Sequence, residues 1–344
     1  MRASLQAKID WSIDLLRKSE KLARMYDPDN GFYLAFSGGK DSQALYHIAV
    51  LAGVPFKAHM NLTSVDPPEV IRFVKRQYPD VELIKPKDSI YNIAVQKGLL
   101  PSQKIRWCCE EFKENAGAGK VTLIGIRHAE SSRRAKRNEV EVSSKAFSGT
   151  LEQFGEFREK RLKNNKVHKI VLPKPSVAHP EAVQSESVVG CITGKESILI
   201  SPIIHWTEQD VWEFLNEVVK VPHCSLYDNG HKRIGCILCP MSNYKHKLRD
   251  IKEYPHAKRC WIKAIKTIRG GGLIQHSYTN ESSDQTPIYG RSYHRAFLGG
   301  PSGEDAGGAD KEDIIAENIF DWWISGKAYD TWYAEKFLQQ KLFE

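Results

Sequence analysis

The sequence lacks any apolar segment of the roughly 18–20 residues that a membrane-spanning helix requires. Its first residues, Met1–Asp10, also lack the apolar core of a secretory signal peptide. Seven cysteines in 344 residues do not form a disulfide framework, and the sequence has no internal repeat or low-complexity tract. We therefore expect a globular, cytoplasmic protein without membrane contact, in which clustered cysteines bind a metal or take part in chemistry.

Charge is distributed unevenly along the chain. The formal net charge is only +8, but residues 231–269 carry eleven Lys or Arg against two Asp or Glu, and residues 298–344 are net acidic. The basic segment also contains the motif Cys236-Ile-Leu-Cys239. Solvated helix faces would explain such a segment, but its coincidence with the cysteines favours an anionic partner, with nucleic acid as the leading candidate.

The order of apolar segments predicts the fold class. Short apolar runs typical of buried parallel strands, beginning with Phe32–Phe36, alternate with helical patterns. This alternation predicts an α/β fold with a doubly wound, mainly parallel sheet. Composition divides the chain into an N-terminal helix (1–30), an α/β core (31–137), a basic insertion or loop (138–195), a continuation of the core with the Cys-x-x-Cys region (196–269), and a Gly-rich segment with an aromatic helical C-terminal extension (270–344).

The sharpest local motif consists of Ser37, Gly38, Gly39, Lys40, Asp41 and Ser42. Two glycines let the backbone turn tightly, so that consecutive N–H groups and the positive end of the following helix dipole face one anion. Lys40 supplies a cation, and Asp41 supplies a carboxylate for Mg²⁺ or for the turn. The string is not a Walker A motif. An ordinary Gly-rich turn with a capping side chain is the alternative, and the complete string favours a phosphate site.

The string resembles the pyrophosphate loop (PP-loop) of the N-type ATP pyrophosphatase and PAPS reductase superfamily. Three further segments resemble that family in order: Asn61–Glu69, in which Ser64 stands where a glycine is usual, Gly125–Arg133, and Pro202–Trp212. The resemblance implies an adenine nucleotide alpha hydrolase-like fold. It also implies that ATP, with Mg²⁺, binds the six loop residues together with Arg127, Glu130 and Arg133.

The two arginines also have a physical reason to bind an anion. They follow a predicted strand, and ligands of open α/β sheets bind beyond the carboxyl ends of the strands. The planar fork of Arg127 suits phosphate oxygens, and Glu130 is predicted to pair with Arg127 or Arg133 and to hold that fork in place. Arg127 is therefore a predicted catalytic residue with Lys40 and Asp41, and a surface salt bridge is the alternative role.

Four cysteines occur as two pairs, Cys108 with Cys109 and Cys236 with Cys239. Four thiolates make a complete ligand set for a [4Fe–4S] cluster or a tetrahedral zinc ion, and free or redox-active thiols are a third possibility. Adjacent cysteines are unusual in structural zinc sites. The pairs resemble those of APS reductases, and this resemblance implies an Fe–S-bearing region with a [4Fe–4S] cluster.

Cys224 lies on a predicted loop, in a segment before Cys236 that also resembles APS reductases. A thiol near cations has a lowered pKa, so Cys224 is a predicted catalytic residue that carries a persulfide sulfur. A buried, inert cysteine is the alternative.

The expected function depends on a departure from the reductases. APS and PAPS reductases carry a catalytic cysteine in a C-terminal Glu-Cys-Gly-type tail, whereas the last cysteine here is Cys260. The remaining cluster-containing relatives include DndC-like and SspD-like proteins of DNA phosphorothioation. The resemblance therefore implies an ATP pyrophosphatase that adenylylates an acceptor for sulfur transfer, with a cysteine desulfurase as sulfur donor and nucleic acid as acceptor. Two alternatives stay open, an APS or PAPS reductase with a displaced thiol and a non-catalytic, metal-stapled nucleic-acid-binding module.

Overall fold

Seven strands form one sheet in this computed structural model, which describes residues 2–114, 117–143, 148–163, 196–270 and 309–338. The strands are β1 (Phe32–Ala35), β2 (Phe56–Asn61), β3 (Glu82–Ile84), β4 (Val121–Leu123), β5 (Val140–Ser143), β6 (Ser148–Gly149) and β7 (Ser197–Ile200). Their order is β3-β2-β1-β4-β7-β5-β6, and all neighbours from β3 to β7 are parallel. The predicted α/β fold with a mainly parallel sheet is confirmed.

The predicted insertion or loop has regular structure at its described residues 140–143, 148–149 and 151–163. β5 pairs antiparallel with β7, and β6 pairs antiparallel with β5 before α6 (Leu151–Lys163) begins. Val140 and Val142 alternate with polar residues, which is the period of a strand, and Val142 is fully buried. The high content of charged residues hid this pattern. Residues 164–195 of the same segment lie outside the described residues, as do residues 271–308 of the predicted Gly-rich segment.

The chain forms two compact units, and each is discontinuous in sequence. Within the described residues, unit 1 comprises 1–61, 68–84 and 112–234, and unit 2 comprises 62–67, 85–111 and 235–344. The division by composition at residues 30, 137, 195 and 269 follows the sequence order instead and stays a prediction. None of the described helices combines the length and the apolar composition that a membrane span needs.

Unit 1 contains the sheet and the helices α1 (Ala3–Tyr26), α2 (Lys40–Ala52), α3 (Pro68–Gln77), α6 and α7 (Glu208–Glu213). The apolar stripe of α1 is buried, as the spacing of Leu5, Ile9 and Leu16 predicts. Trp206 is also fully buried, and its indole N–H donates to Ser12 Oγ at 3.2 Å. These contacts attach α1 to the segment between β7 and α7.

A buried carboxylate organises the start of α7. Asp210 Oδ2 accepts the backbone N–H of Thr207 at 2.8 Å, and Thr207 Oγ1 accepts the N–H of Asp210 at 3.2 Å, which forms a capping box. Lys8 Nζ donates to the same carboxylate at 2.6 Å. Burial opposes ionisation, but the hydrogen bonds from Lys8 and Thr207 outweigh it and lower the pKa of Asp210 to about 2.

Unit 2 contains the helices α4 (Ile90–Lys97), α5 (Trp107–Cys109), α8 (Tyr244–Glu253), α9 (Pro255–Gly270), α10 (Ala309–Ser325) and α11 (Tyr329–Tyr333). Aromatic rings make up much of its core. The ring centroid of Trp261 lies 4.9 Å from that of Tyr91 and 4.8 Å from that of Trp323. The Trp323 indole N–H donates to Pro101 O at 2.6 Å, so the C-terminal aromatic residues pack in the core of this unit.

Candidate functional site

The loop Ser37–Ser42 follows β1 at the carboxyl end of a central strand of the sheet. Gly38 has a φ of +72°, and an added Cβ would lie 2.7 Å from Val70 Cγ1, so glycine is required by both conformation and space. Ser42 Oγ donates to Gly39 O at 2.8 Å and thereby closes the turn. The helix α2 begins at Lys40, and its first N–H groups have no acceptors within the helix, which suits an anion.

Two buried cations share the carboxylate of Asp41. Arg127 Nε donates to Asp41 Oδ1 at 2.7 Å, and Lys40 Nζ lies 3.3 Å from Asp41 Oδ2. Lys40 and Arg127 are each only 3% exposed. A second carboxylate, Glu208, lies 3.7 Å from Lys40 Nζ, but its side chain is largely exposed and solvated. The loop therefore lies beside a fixed pair of cations that a phosphate would complement.

Arg127 reaches the loop because the chain passes very close to it. A Cβ added at Gly125 would lie 3.0 Å from Asp41 O, so a larger residue would push the two segments apart. Arg127 Nη1 also donates to Trp206 O at 3.4 Å. Arg127, in the family-like motif around Gly125, thus reaches the PP-loop for two reasons. The backbone at Gly125 lies against the loop, and hydrogen bonds to Asp41 and Trp206 O hold the guanidinium group.

Glu130 and Arg133 differ from the expected arrangement. Glu130 Oε1 accepts the backbone N–H of Arg127 at 3.0 Å, while Glu130 Oε2 pairs with Arg134 and lies 3.7 Å from Arg233. The expected pairing of Glu130 with the guanidinium group of Arg127 or Arg133 is therefore wrong within the described residues. The reason is local, because a short 3₁₀ turn from residue 128 to 130 places the carboxylate on the backbone of Arg127. The Arg133 side chain is exposed.

Asp41 does not fit the role of a Mg²⁺ ligand in this arrangement. Both of its carboxylate oxygens face cations, Arg127 on one side and Lys40 on the other. A divalent cation at that position would meet two positive charges at short range. The carboxylate instead fits the second predicted use, in which it supports the loop and positions the two basic side chains.

Cys224 is completely buried in unit 1. Burial raises the pKa of its thiol, and the nearby carboxylates of Glu69 and Asp228 raise it further. This direction is opposite to the lowered pKa expected for a persulfide carrier. Sequence reasoning missed a neighbour, Tyr227, whose hydroxyl oxygen accepts the backbone N–H of Lys40 at 2.8 Å. The only signal for Tyr227 was its position in the reductase-like segment after Cys224.

The four paired cysteines all belong to unit 2, where α5 carries Cys108 and Cys109 and a turn before α8 carries Cys236 and Cys239. The Cys239 N–H donates to Cys236 O at 3.3 Å within that turn. A hydrogen bond with Cys109 and burial raise the pKa of Cys108, and the thiolate charges of Cys109, Cys236 and Cys239 raise it further. The four thiols are therefore close enough to influence one another, and no disulfide joins the described cysteines.

The four cysteines of unit 2 offer thiol ligands for a metal group. Among the described residues, no group of three or more His, Cys, Asp or Glu side chains converges on one metal position. A single zinc ion needs such convergence because it lies about 2.3 Å from each sulfur, whereas a cubane holds its four thiolates farther apart. The hydroxyl of Thr63 lies 3.5 Å from Cys236 Sγ, and the buried Lys247 is close enough to Cys239 for their charges to interact.

A family model described as the phosphoadenosine phosphosulfate reductase domain matches residues 31–242, well over half of the chain. The chain belongs to this reductase-domain family. The resemblance of its motifs to PAPS and APS reductase-like proteins is thereby confirmed at the level of the superfamily, whose members are enzymes.

Relatives of this reductase-domain protein include two uncharacterized proteins of Methanocaldococcus jannaschii, 24% identical over 74% of this chain and 23% identical over 68%. Those matches cover 52% and 41% of the relatives, so the chain spans about half the length of the curated relatives it matches. The adenosine 5′-phosphosulfate reductase of Oceanobacillus iheyensis is 48% identical over 44 residues, 13% of this chain and 18% of that protein. A crystal structure of PAPS reductase from Candida auris, in a phosphate complex, aligns with 65% of this chain and 93% of its own at 16% identity and a TM-score of 0.31.

The reductase-domain motif departs from its usual pattern at Ser64, and the backbone shows why glycine is usual there. Ser64 has a φ of +63°, which lies in the left-handed region. Its hydroxyl accepts the N–H of Ile90 at 2.9 Å, at the start of α4. The side chain thus compensates for the unfavourable backbone conformation with a hydrogen bond that glycine cannot make.

The basic segment of this reductase-domain protein is partly neutralised inside unit 2. Three basic residues of α9 pair with acidic residues of α10: Lys258 with Glu317, Lys266 with Asp313, and Arg269 with Glu312. Two exposed lysines of α8, Lys245 and Lys252, have no acidic partner among the described residues. The net positive charge that an external anion would meet is therefore smaller than the sequence suggests. Lys245 and Lys252 of α8 contribute to it more than the paired residues of α9 do.

Proposed function

We propose that this chain is an ATP pyrophosphatase that adenylylates an acceptor and prepares it for sulfur transfer. The specific reaction that we propose is the modification of nucleic acid, in which DNA receives a phosphorothioate group. The observation that carries the proposal is the burial of Lys40 and Arg127 around Asp41 beside the loop Ser37–Ser42. Fixed cations in a buried site stabilise the charge that develops during transfer at phosphorus.

The residues of unit 1 have distinct roles in this proposal. The N–H groups at the start of α2 hold the terminal phosphates of ATP, and the hydroxyls of Ser37 and Ser42 support the turn that presents them. Lys40 and Arg127 neutralise charge on the phosphate chain, and Asp41 holds both in place. Glu130 shapes the turn that carries Arg127, and Arg133 is proposed as a contact at the rim. Mg²⁺ is proposed to bind as a complex with the ATP phosphates, as it commonly does in such sites.

The proposed reaction balances as two displacements. An oxygen of the acceptor attacks the α-phosphorus of ATP, the bond to the bridging oxygen breaks, and pyrophosphate leaves with the bonding electrons. A persulfide sulfur from a cysteine desulfurase then displaces AMP from the adenylylated acceptor. A further thiol attacks the sulfur of the donor cysteine and breaks the remaining S–S bond, which leaves the transferred sulfur on the acceptor and joins the thiol and the donor cysteine in a disulfide. Catalysis by this chain consists of positioning and charge neutralisation.

The cysteine set in unit 2 is proposed to hold a [4Fe–4S] cluster through Cys108, Cys109, Cys236 and Cys239. The mutual influence of the four thiols supports this ligand set, and the lack of a single convergent position argues against zinc. When bound, the cluster supplies one-electron redox capacity there. The role of Cys224 as a persulfide carrier stays a prediction, and its complete burial weighs against it.

A reductase that acts on APS or PAPS is the second candidate. The description of the family and the names of several matched proteins favour it. The same phosphate loop and basic side chains would then bind the nucleotide portion of the substrate, and the attacking thiol would come from elsewhere.

One set of assays separates these functions. Anaerobically purified protein is incubated with ATP and Mg²⁺, with and without DNA or tRNA, and separately with APS or PAPS and reduced thioredoxin. Pyrophosphate from ATP supports the proposed function, whereas sulfite from APS or PAPS supports the reductase. Salt-sensitive nucleic-acid binding without either product would instead indicate the non-catalytic module. Lys40→Ala should abolish pyrophosphate release, and Lys18→Ala, at an exposed position of α1, is the matched control.

A further inference from the structure

We propose that the hydroxyl group of Tyr227 donates a hydrogen bond to a phosphate group bound at the loop Ser37–Ser42. This role rests on the proposed function. Tyr227 Oη accepts the backbone N–H of Lys40 at 2.8 Å. Lys40 is the first residue of α2, and no side chain caps this helix from its N-cap residue, Gly39. The tyrosine hydroxyl therefore lies at the helix start, where the phosphate chain is proposed to bind.

The hydrogen bond to Lys40 determines how the hydroxyl can act. A tyrosine hydroxyl has one proton to donate and two lone pairs that accept. Because a lone pair accepts the Lys40 N–H, the O–H proton remains available to a phosphate oxygen in the same site. Burial raises the pKa of Tyr227, and the nearby charges of Asp41 and Glu208 raise it further, so the proton is retained at neutral pH.

The surroundings hold the ring in this position. Trp212 contacts it edge to face with centroids 5.0 Å apart, and the His223 ring lies 6.1 Å away. A Cβ added at Gly39 would lie 3.4 Å from the hydroxyl oxygen, so the glycine leaves room for it beside the backbone. Lys40 Nζ lies 5.9 Å from the ring centroid, which places the buried ammonium group and the hydroxyl around the same small region.

The test compares Tyr227→Phe with a control, Tyr46→Phe. The Tyr46 hydroxyl donates to Asp80, so its loss should leave ligand binding unchanged. Isothermal titration calorimetry measures the binding of ATP, inorganic pyrophosphate and adenosine, and thermal unfolding reports on the fold. We expect Tyr227→Phe to weaken the binding of ATP and pyrophosphate by roughly tenfold or more, the effect of one hydrogen bond to a charged group. The binding of adenosine should not change, and the melting temperature should fall only by the few degrees that loss of the acceptor for the Lys40 N–H costs.

The outcomes distinguish this proposal from the proposed function. Equal or tighter binding of ATP and pyrophosphate by Tyr227→Phe would overturn the role of Tyr227 alone, and tighter binding would show that the hydroxyl competes with phosphate. A parallel loss of adenosine binding and thermal stability would show that the hydroxyl only supports the fold. If the unsubstituted protein binds neither ATP nor pyrophosphate, both proposals fail together.

Discussion

The phosphate loop of unit 1 and the cysteine set of unit 2 are built in opposite ways. The loop is one continuous string, and two buried cations already meet Asp41 within 3.3 Å. The cysteine set is assembled from two distant segments, and its thiols influence one another without converging on a single metal position. Protein contacts organise the loop, whereas the cysteine set is completed by a metal cluster in the function proposed above.

This difference predicts which perturbations each region tolerates. A preorganised site keeps its geometry when its ligand is absent, so its variants should lose activity while the protein stays folded. A site completed by its ligand should lose both the ligand and local stability when one ligating side chain is removed. The following predictions test this contrast, beginning with the largest expected effect.

Replacing one thiol of the cysteine set should remove the bound iron almost completely. Cys236→Ser is the variant, because Cys236 lies in the turn that also carries Cys239. Iron content and visible absorption of anaerobically purified protein are the measurements. The control is Cys260→Ser, which alters a cysteine that contacts His256 on α9. Stoichiometric iron in Cys236→Ser would show that this residue is not a ligand.

Replacing the guanidinium group at the loop should reduce the rate of pyrophosphate release by about 10²–10³. Arg127→Lys keeps the charge but loses the planar fork that contacts Asp41 and Trp206 O. Iron content should be unchanged, which separates the two regions. Arg24→Lys, at an exposed ion pair with Glu20, is the control. A variant at Arg127 with an unchanged rate would mean that the PP-loop works without this residue.

Removing the buried charge of Asp210 should lower the free energy of unfolding by about 2 kcal/mol at pH 7. The folded-state pKa of about 2 lies below the ordinary aspartate pKa of 3.8, so this stabilisation is present above pH 4 and is lost as the pH falls towards 2. Urea unfolding of Asp210→Asn at several pH values measures it. Asp14→Asn, at an exposed pair with Lys18, should change stability little. A difference that persists at pH 2 would contradict the assignment to ionised Asp210.

The smallest expected effect concerns the basic surface of unit 2. The double variant Lys245→Ala/Lys252→Ala should make the logarithm of the nucleic-acid binding constant fall less steeply with the logarithm of the salt concentration. The change in slope should correspond to the loss of about two phosphate contacts. The matched control is Lys258→Ala/Lys266→Ala, because both of these lysines pair with acidic residues of α10. Binding constants at several salt concentrations give the slopes. Equal slopes for both double variants would mean that the unpaired lysines of α8 do not bind phosphate.

The sequence was most informative where the chemistry is local. The central strand was indicated by the apolar run at Phe32–Ala35, and the turn after it was indicated by the glycines that follow. Both signals are local, because they come from the residues that form the strand and the turn themselves. Val140–Ser143 was missed because a short strand among charged residues has little apolar signal, and its pairing with β7 comes from a distant part of the chain.

Contacts between distant segments limited what could be predicted of the site. The hydrogen bond from Lys40 to Tyr227 joins residues 187 positions apart and depends on how the ring of Tyr227 is held. The pKa of Cys224 rises because the folded chain buries it, and no neighbouring residue in the sequence signals that burial. The pairing of Glu130 was wrong for a different reason, since a backbone N–H three residues away was the nearer partner.

During synthesis, the two halves of the cysteine set leave the ribosome at different times. Residues 112–234 belong to unit 1 and separate Cys109 from Cys236. At a synthesis rate of about 5–20 residues per second, Cys236 and Cys239 are synthesised roughly 6–25 s after Cys108 and Cys109. Binding of the proposed cluster by all four thiols therefore has to follow the synthesis of residues 112–234.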